Sequence, residues 1–149
     1  MPITFRYKKI NRPAPLEPIH APAIPITLIG RKEKLDVIAL VDSGADVSAI
    51  PKDLADILGV DLTGKQEEVV GIGGKVPSVR TRIDASIRNA HERYAFTLNV
   101  MVVLDEKIEF GILLGRRDFF ENFDVTFREN EEKIILKKVP PRHDAVMRI

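Results

Sequence analysis

An all-β domain is predicted for this chain, a closed or partly open β-barrel with one or two short helices, on three observations. Short apolar segments rich in β-branched residues recur along the chain, with polar or glycine-containing turns between them. Only two stretches carry a helical signature, and both are short. The length of 149 residues suits one domain, whose core can bury roughly 68–70% of the unfolded surface without a disulfide or metal staple.

Taken in order, the elements begin with a proline-rich arm. Five of the ten prolines fall between Pro13 and Pro25, and proline fixes φ and removes a backbone donor, so this stretch is expected as an extended arm or edge. Pro25–Ile29 and Leu35–Val41 then read as a hairpin over the charged turn Gly30–Lys34. Asp42–Pro51 reads as a tight turn followed by a return to extended structure. Pro51–Gly59 reads as a short helix, with Asp53 at its positive end, Gly59 as its stop and Leu54, Ile57 and Leu58 as its buried stripe. A second hairpin spans Gln66–Ile87 with its tip at Gly71–Lys75. Within it Thr81, Ile83, Ala85 and Ile87 alternate with polar residues. Tyr94–Leu104 is a long strand with Phe96, Leu98, Val100 and Val102 on one face, and Phe110–Gly115 is a fully buried strand. A short helix is expected over Arg117–Phe123, and Asp124–Phe127 with Lys133–Leu136 form a last hairpin. The expected organisation is an arm over 1–21, one domain over 22–138 and a tail over 139–149.

Composition removes several chemistries. The absence of cysteine excludes disulfide frameworks, thiolate metal sites and cysteine nucleophiles. His20, His91 and His143 are too far apart in sequence to suggest a metal cage, so neither metal nor cofactor is expected. A net charge of +1 gives no field to hold nucleic acid or an anionic membrane. The N-terminal stretch Met1–Ile10 lacks the apolar run of a secretory signal, and runs such as Val100–Leu104 are far too short to span a bilayer. A cytoplasmic protein is expected.

The chemistry concentrates in Asp42-Ser-Gly-Ala-Asp-Val-Ser48, directly after the apolar run Val37–Val41. A carboxylate placed where a buried strand breaks into a glycine turn is pinned at the core's edge beside backbone donors, and Gly44 lets another chain approach closely. The same residues are also the ordinary ones of an Asx turn between strand and loop. A second segment, Phe110-Gly-Ile-Leu-Leu-Gly-Arg-Arg-Asp-Phe-Phe120, is an apolar strand ending in glycine and a basic pair, about 70 residues downstream. Gly71-Ile-Gly-Gly-Lys75 lies between them. It fails the phosphate-loop and dinucleotide patterns because Val76 stands where Ser, Thr or a third glycine is needed.

In that order the three segments resemble the retropepsin-like aspartic peptidases, in particular their prokaryotic and cellular members, which carry a helix like Lys52–Leu58 after the catalytic segment. The resemblance covers roughly residues 22–137 and implies a retropepsin-like β-barrel with a flap hairpin. It implies Asp42 as the catalytic residue, with Ser43, Gly44, Ala45, Asp46 and Arg116 as active-site support. Ser43 would bond across a two-fold axis, the Gly44 carbonyl would meet substrate backbone, and Asp46 would pair with Arg116 in a partly buried contact. Gly71, Ile72, Gly73 and Gly74 would form the flap, and Leu113 a subsite wall.

Aspartic peptidases use two carboxylates about 3 Å apart that share one proton, because both cannot easily ionise. This chain has one such motif, since Asp61-Leu-Thr-Gly64 carries an extra residue. The site is therefore expected on the axis of a homodimer acting on an extended polypeptide, with no nucleic-acid or membrane partner. Two readings follow: an aspartic endopeptidase, or a non-catalytic dimeric module of the same fold that binds peptides or a protein partner. A paired-carboxylate glycosidase fits poorly, since the chain has no Trp and two Tyr.

Overall fold

A computed structural model of the chain describes residues 1–71, 74–107 and 111–140. Twelve strands and one α-helix account for most of them. In chain order they are β1 (Ile3–Arg6), β2 (Lys8–Ile10), β3 (Ile19–Ala21), β4 (Ala23–Ile29), β5 (Lys34–Val41), β6 (Ser48–Pro51), α1 (Lys52–Leu58), β7 (Gln66–Gly71), β8 (Gly74–Arg88), β9 (Arg93–Val103), β10 (Ile112–Leu114), β11 (Phe123–Arg128) and β12 (Lys133–Lys138). The main sheet runs β4-β5-β10-β6-β9-β8-β7, and a further pairing of β4 with β8 closes it into a ring. Beside it lie a three-stranded sheet, β1-β12-β11, and a two-stranded one, β2-β3.

Alternation decides which faces are buried. Along β9, Phe96, Leu98, Val100 and Val102 point into the ring and are buried, as are Ile83, Ala85 and Ile87 along β8. Ile24, Ile26 and Leu28 of β4 complete that wall. Pro25 sits in the part of β4 where only β5 is a neighbour, because β8 joins from Thr27 onward. The missing donor of proline therefore costs no ladder bond there. At one end of the ring, Phe96, Phe119 and Phe123 pack edge-on or tilted with centroids 5.3–5.9 Å apart.

The helix differs from its expected stripe. Ala55 and Leu58 are fully buried, whereas Ile57 is 50% exposed and Leu54 only half-buried. A helix of two turns meets the sheet along a single line of residues three apart, and Ile57 lies off that line. Its end follows expectation: Gly59 adopts φ 73° and its N–H bonds the carbonyls of Ala55 and Asp56.

Two expectations near the third motif are corrected. No regular helix covers Arg117–Phe123. Arg116–Phe120 makes one distorted turn, in which Arg117 is extended and Asp118 has φ 68°, and Phe123 already opens β11. The strand before it is shorter and less buried than expected. Ile112 and Leu114 face the core while Leu113 is half-buried, Gly111 is exposed, and Phe110 lies outside the described residues.

At the termini, β1 pairs antiparallel with β12, Ile3 opposite Leu136, and both residues are fully buried. The arm's hairpin is tied to the β11–β12 turn by His20 Nδ1 and Glu132 Oε2 at 2.6 Å. Tyr7 donates to Glu129 (3.0 Å), and burial with that carboxylate raises its pKa. Residues 141–149 of the expected tail lie outside the described residues. Among the described residues no helix is long and apolar enough to cross a membrane.

Candidate active site

Strand direction brings the two distant motifs together. Strands β5 and β10 are parallel, with Leu114 opposite Val41, so the chain leaves both at the same edge of the sheet. β10 also pairs antiparallel with β6, onto which the Asp42 loop returns. The loop thus starts and ends on the two neighbours of β10, beside the turn that β10 itself feeds.

The loop is organised by its own aspartate. Asp42 N–H donates to the Leu114 carbonyl (3.0 Å), and the Asp42 carbonyl accepts from Ala45 N–H (3.1 Å). Gly44 N–H donates to Asp42 Oδ1 at 2.9 Å, the Asx arrangement in which a side chain caps the backbone two residues on. A Cβ on Gly44 would lie 3.2 Å from that oxygen. Asp42 is half-buried while Ser43 and Gly44 are exposed. The other carboxylate oxygen, Oδ2, takes no hydrogen bond among the described residues.

The turn after β10 braces this loop through backbone and side chain together. Arg116 N–H bonds the Ala45 carbonyl and Arg117 N–H the Asp46 carbonyl, both at 2.9 Å. The Arg116 guanidinium meets Asp46 Oδ1 at 2.6 Å. Gly115 is buried against Val47 so closely that a Cβ would stand 2.5 Å from the Val47 carbonyl carbon and oxygen. Its N–H donates to the buried Ser48 hydroxyl (3.0 Å). The expected ion pair is present but not partly buried: in the single chain Asp46 is 81% and Arg116 63% exposed. Water screens both side chains, and such a pair contributes about 0.2–1 kcal/mol.

The remaining expected residues fall in two places. Leu113 is half-buried and in register with Leu40 and Ala49. Leu40 was missed from sequence, although it lies on β5 only two residues before Asp42. Gly71 and Gly74 pair at the β7–β8 tip, with Gly74 at φ 98°, and Ile72 and Gly73 lie outside the described residues. Asp118, also missed, accepts from Asn99 N–H (2.7 Å) and Asn99 Nδ2 (3.1 Å). The Asp61 segment is a local turn, whose carboxylate accepts from the Thr63 hydroxyl (2.6 Å) and N–H (2.9 Å). Those bonds, the hydroxyl's first, lower its pKa. Among the described residues no cluster of three or more His, Cys, Asp or Glu is arranged to hold a metal ion.

A closed all-β ring whose strand ends on Asp-Ser-Gly beside a Gly-Arg turn defines the retropepsin-like class of fold. The sequence profile described as aspartyl protease matches residues 24–117, and the chain belongs to that family. Among solved structures it is similar to a retropepsin-like aspartic protease from Rickettsia conorii, with 20% identity, a TM-score of 0.56, and coverage of 91% of this chain and 89% of that one. It is also similar to the retroviral protease-like domain of Ddi1 from Leishmania major, at 18% identity and a TM-score of 0.50, covering 84% of this chain and 98% of that one. At such identities the likeness is one of fold. A search of curated proteins found no match.

Proposed function

We propose that the chain is an aspartic endopeptidase active as a homodimer, in which Asp42 of each copy supplies one carboxylate to a shared site. The observation that carries this reading is the state of Asp42: one oxygen is fixed by Gly44 N–H at 2.9 Å, and the half-buried carboxylate keeps its second oxygen unbonded among the described residues. Two such groups facing each other share a proton. The ionised one takes a proton from water, which attacks the scissile carbonyl. The protonated one donates a hydrogen bond to that carbonyl's oxygen as charge develops there.

The other roles follow from position. Ser43, exposed beside Asp42, bonds the partner's loop, and the Gly44 carbonyl accepts from substrate backbone. Asp46, held by Arg116, borders the groove, and Leu113 with Leu40 forms its apolar floor. The β7–β8 tip, residues 71–74, acts as the flap that closes over an extended peptide and excludes water. Residues 22–138 form the peptidase domain, flanked by the arm over 1–21 and the tail over 139–149. The reaction needs no cofactor, and the proposed location is cytoplasmic.

The test pairs cleavage with assembly. Asp42→Asn should abolish cleavage of an unfolded protein while sedimentation still reports a dimer. Activity per chain should rise with protein concentration through the dimerisation range. Cleavage by Asp42→Asn at the wild-type rate rejects the mechanism. Peptide binding without turnover across roughly pH 3 to 7 replaces it with a non-catalytic module.

A further inference from the structure

We infer that Asp118 is a positioning residue for the Asp42 loop, its carboxylate fastening to β9 the turn that braces that loop. The backbone carries the first sign. Asp118 has φ 68° and ψ −55°, the strained γ-turn region that a non-glycine residue keeps only where its surroundings over-determine it. The surroundings do so on every polar group it owns. Its Oδ2 accepts from Asn99 N–H (2.7 Å) and Asn99 Nδ2 (3.1 Å), its N–H donates to Glu121 Oε1 (2.7 Å), and its carbonyl accepts from Asn122 Nδ2. Asn122 is held in turn by Lys138 Nζ (2.7 Å) and by Val139 N–H (3.1 Å).

The position of these bonds gives them their consequence. Just upstream, Arg116 and Arg117 donate their N–H groups to the Ala45 and Asp46 carbonyls, and Gly115 lies against Val47. One residue downstream, Phe119 is fully buried among Phe96, Phe120 and Phe123. Between these anchors, Asp118 is the one side chain of the 115–118 turn that bonds the β9 strand among the described residues. An ionised acceptor facing a backbone N–H is a stronger tie than a neutral pair. Releasing it lets the strained backbone relax, and the relaxation falls on the amides that hold the Asp42 loop.

The catalytic consequence rests on the proposed peptidase reading, while the structural one does not, so the experiment has two arms. In the first, amide hydrogen exchange is followed in the full chain. Asp118→Ala should speed exchange at Ala45, Arg116 and Arg117 by about tenfold or more, with the β1–β12 ladder within about twofold of wild type. Asp118→Asn keeps an acceptor oxygen and should restore most of the protection. Acceleration confined to Asn99, or spread evenly over all strands, overturns the inference. Should Asp118→Ala not fold, Asn99→Ala removes one donor and leaves the strand ladder intact. It should accelerate the same three amides by about twofold or more, and no change there overturns the inference. In the second arm, kcat should fall about tenfold or more in Asp118→Ala with KM nearly constant, and recover in Asp118→Asn. Unchanged kcat alongside accelerated exchange removes the catalytic consequence. A wild-type chain that cleaves nothing defeats the proposed function, and the exchange pattern still decides the role of Asp118.

Discussion

Gly115→Ala is the most informative single substitution near the Asp42 loop, because the structure sets its magnitude. The added methyl would stand 2.5 Å from the backbone carbonyl carbon and oxygen of Val47, while ordinary contact begins at 3.4 Å. Something must therefore move by about 0.9 Å. Neither side can yield as a flexible side chain would, since Val47 meets the methyl with its backbone and Gly115 is tied to Ser48 Oγ and, through Arg116, to Ala45. Overpacking of this kind costs about 1–3 kcal/mol, which for a domain of this size lowers Tm by roughly 2–12 °C. The strain falls on Val47, inside the loop that begins at Asp42, and a misplacement near 1 Å lowers a positioned reaction about 100-fold.

Thermal unfolding and peptide cleavage should be measured on Gly115→Ala beside two controls. Gly111→Ala meets nothing within 4 Å among the described residues and should leave Tm unchanged. Among the described residues Gly44→Ala meets only the Asp42 carboxylate oxygen, at 3.2 Å, which can shift by a few tenths of an ångström; it should cost stability less than Gly115→Ala does. A Gly115→Ala protein as stable as wild type, with unaltered Ala45 and Arg116 amide shifts, would refute the reasoning, because the close approach could then not exist in solution.

Two further outcomes follow. Arg116→Ala should lower the stability of the isolated chain by no more than about 1 kcal/mol, since its ion pair with Asp46 is largely solvated; a larger loss in chemical denaturation would mean that water does not screen the pair as its exposure implies. Thr63→Val removes the hydroxyl that does most to depress the Asp61 carboxyl pKa, so an NMR titration should place that pKa nearer its ordinary value. A depressed folded-state pKa supplies stability above the unfolded value and loses it as pH falls through the folded value. The variant should therefore narrow that window from its acid side. An unmoved titration would show that the Thr63 hydroxyl bond is not formed in solution.

Local signals account for what was legible in sequence. The β4–β5 hairpin, the stop at Gly59 and the Asp42 turn are each written within a few residues, in β-branched runs, a glycine that reaches φ 73° and an Asx pattern. Pairings across the chain are not so written. Ile3 meets Leu136, and nothing near Ile3 names its partner. Arg117–Phe123 has acceptable helix formers, yet the close seat of Gly115 on Val47 and the two donors of Asn99 pull Asp118 out of the helical region. Both causes lie on other elements, the Asp42 loop and β9. Leu40 is different, because its signal was present: it stands in the apolar run Val37–Val41 directly before Asp42.

The parallel pairing of β5 and β10 explains why the two halves of the site are far apart in sequence and in contact in space. Parallel neighbours need a long crossover, and here that crossover contains β6, α1 and the long β7–β8–β9 stretch. The strands therefore form the floor of the site, while their common edge carries the Asp42 loop and the Arg116 turn. Among the described residues, the hydrogen bonds that fix Asp42 come from beneath or from within its own loop: to the Leu114 carbonyl, from Gly44 N–H and from Ala45 N–H. The exposed faces of Ser43 and Gly44 and the carboxylate oxygen left unbonded among the described residues are thus the groups that, in the proposed dimer, a second copy and a peptide would both have to meet. In the proposed homodimer, dimer formation and peptide binding would therefore draw on one edge of the fold, and a substitution at Ser43 should disturb both together.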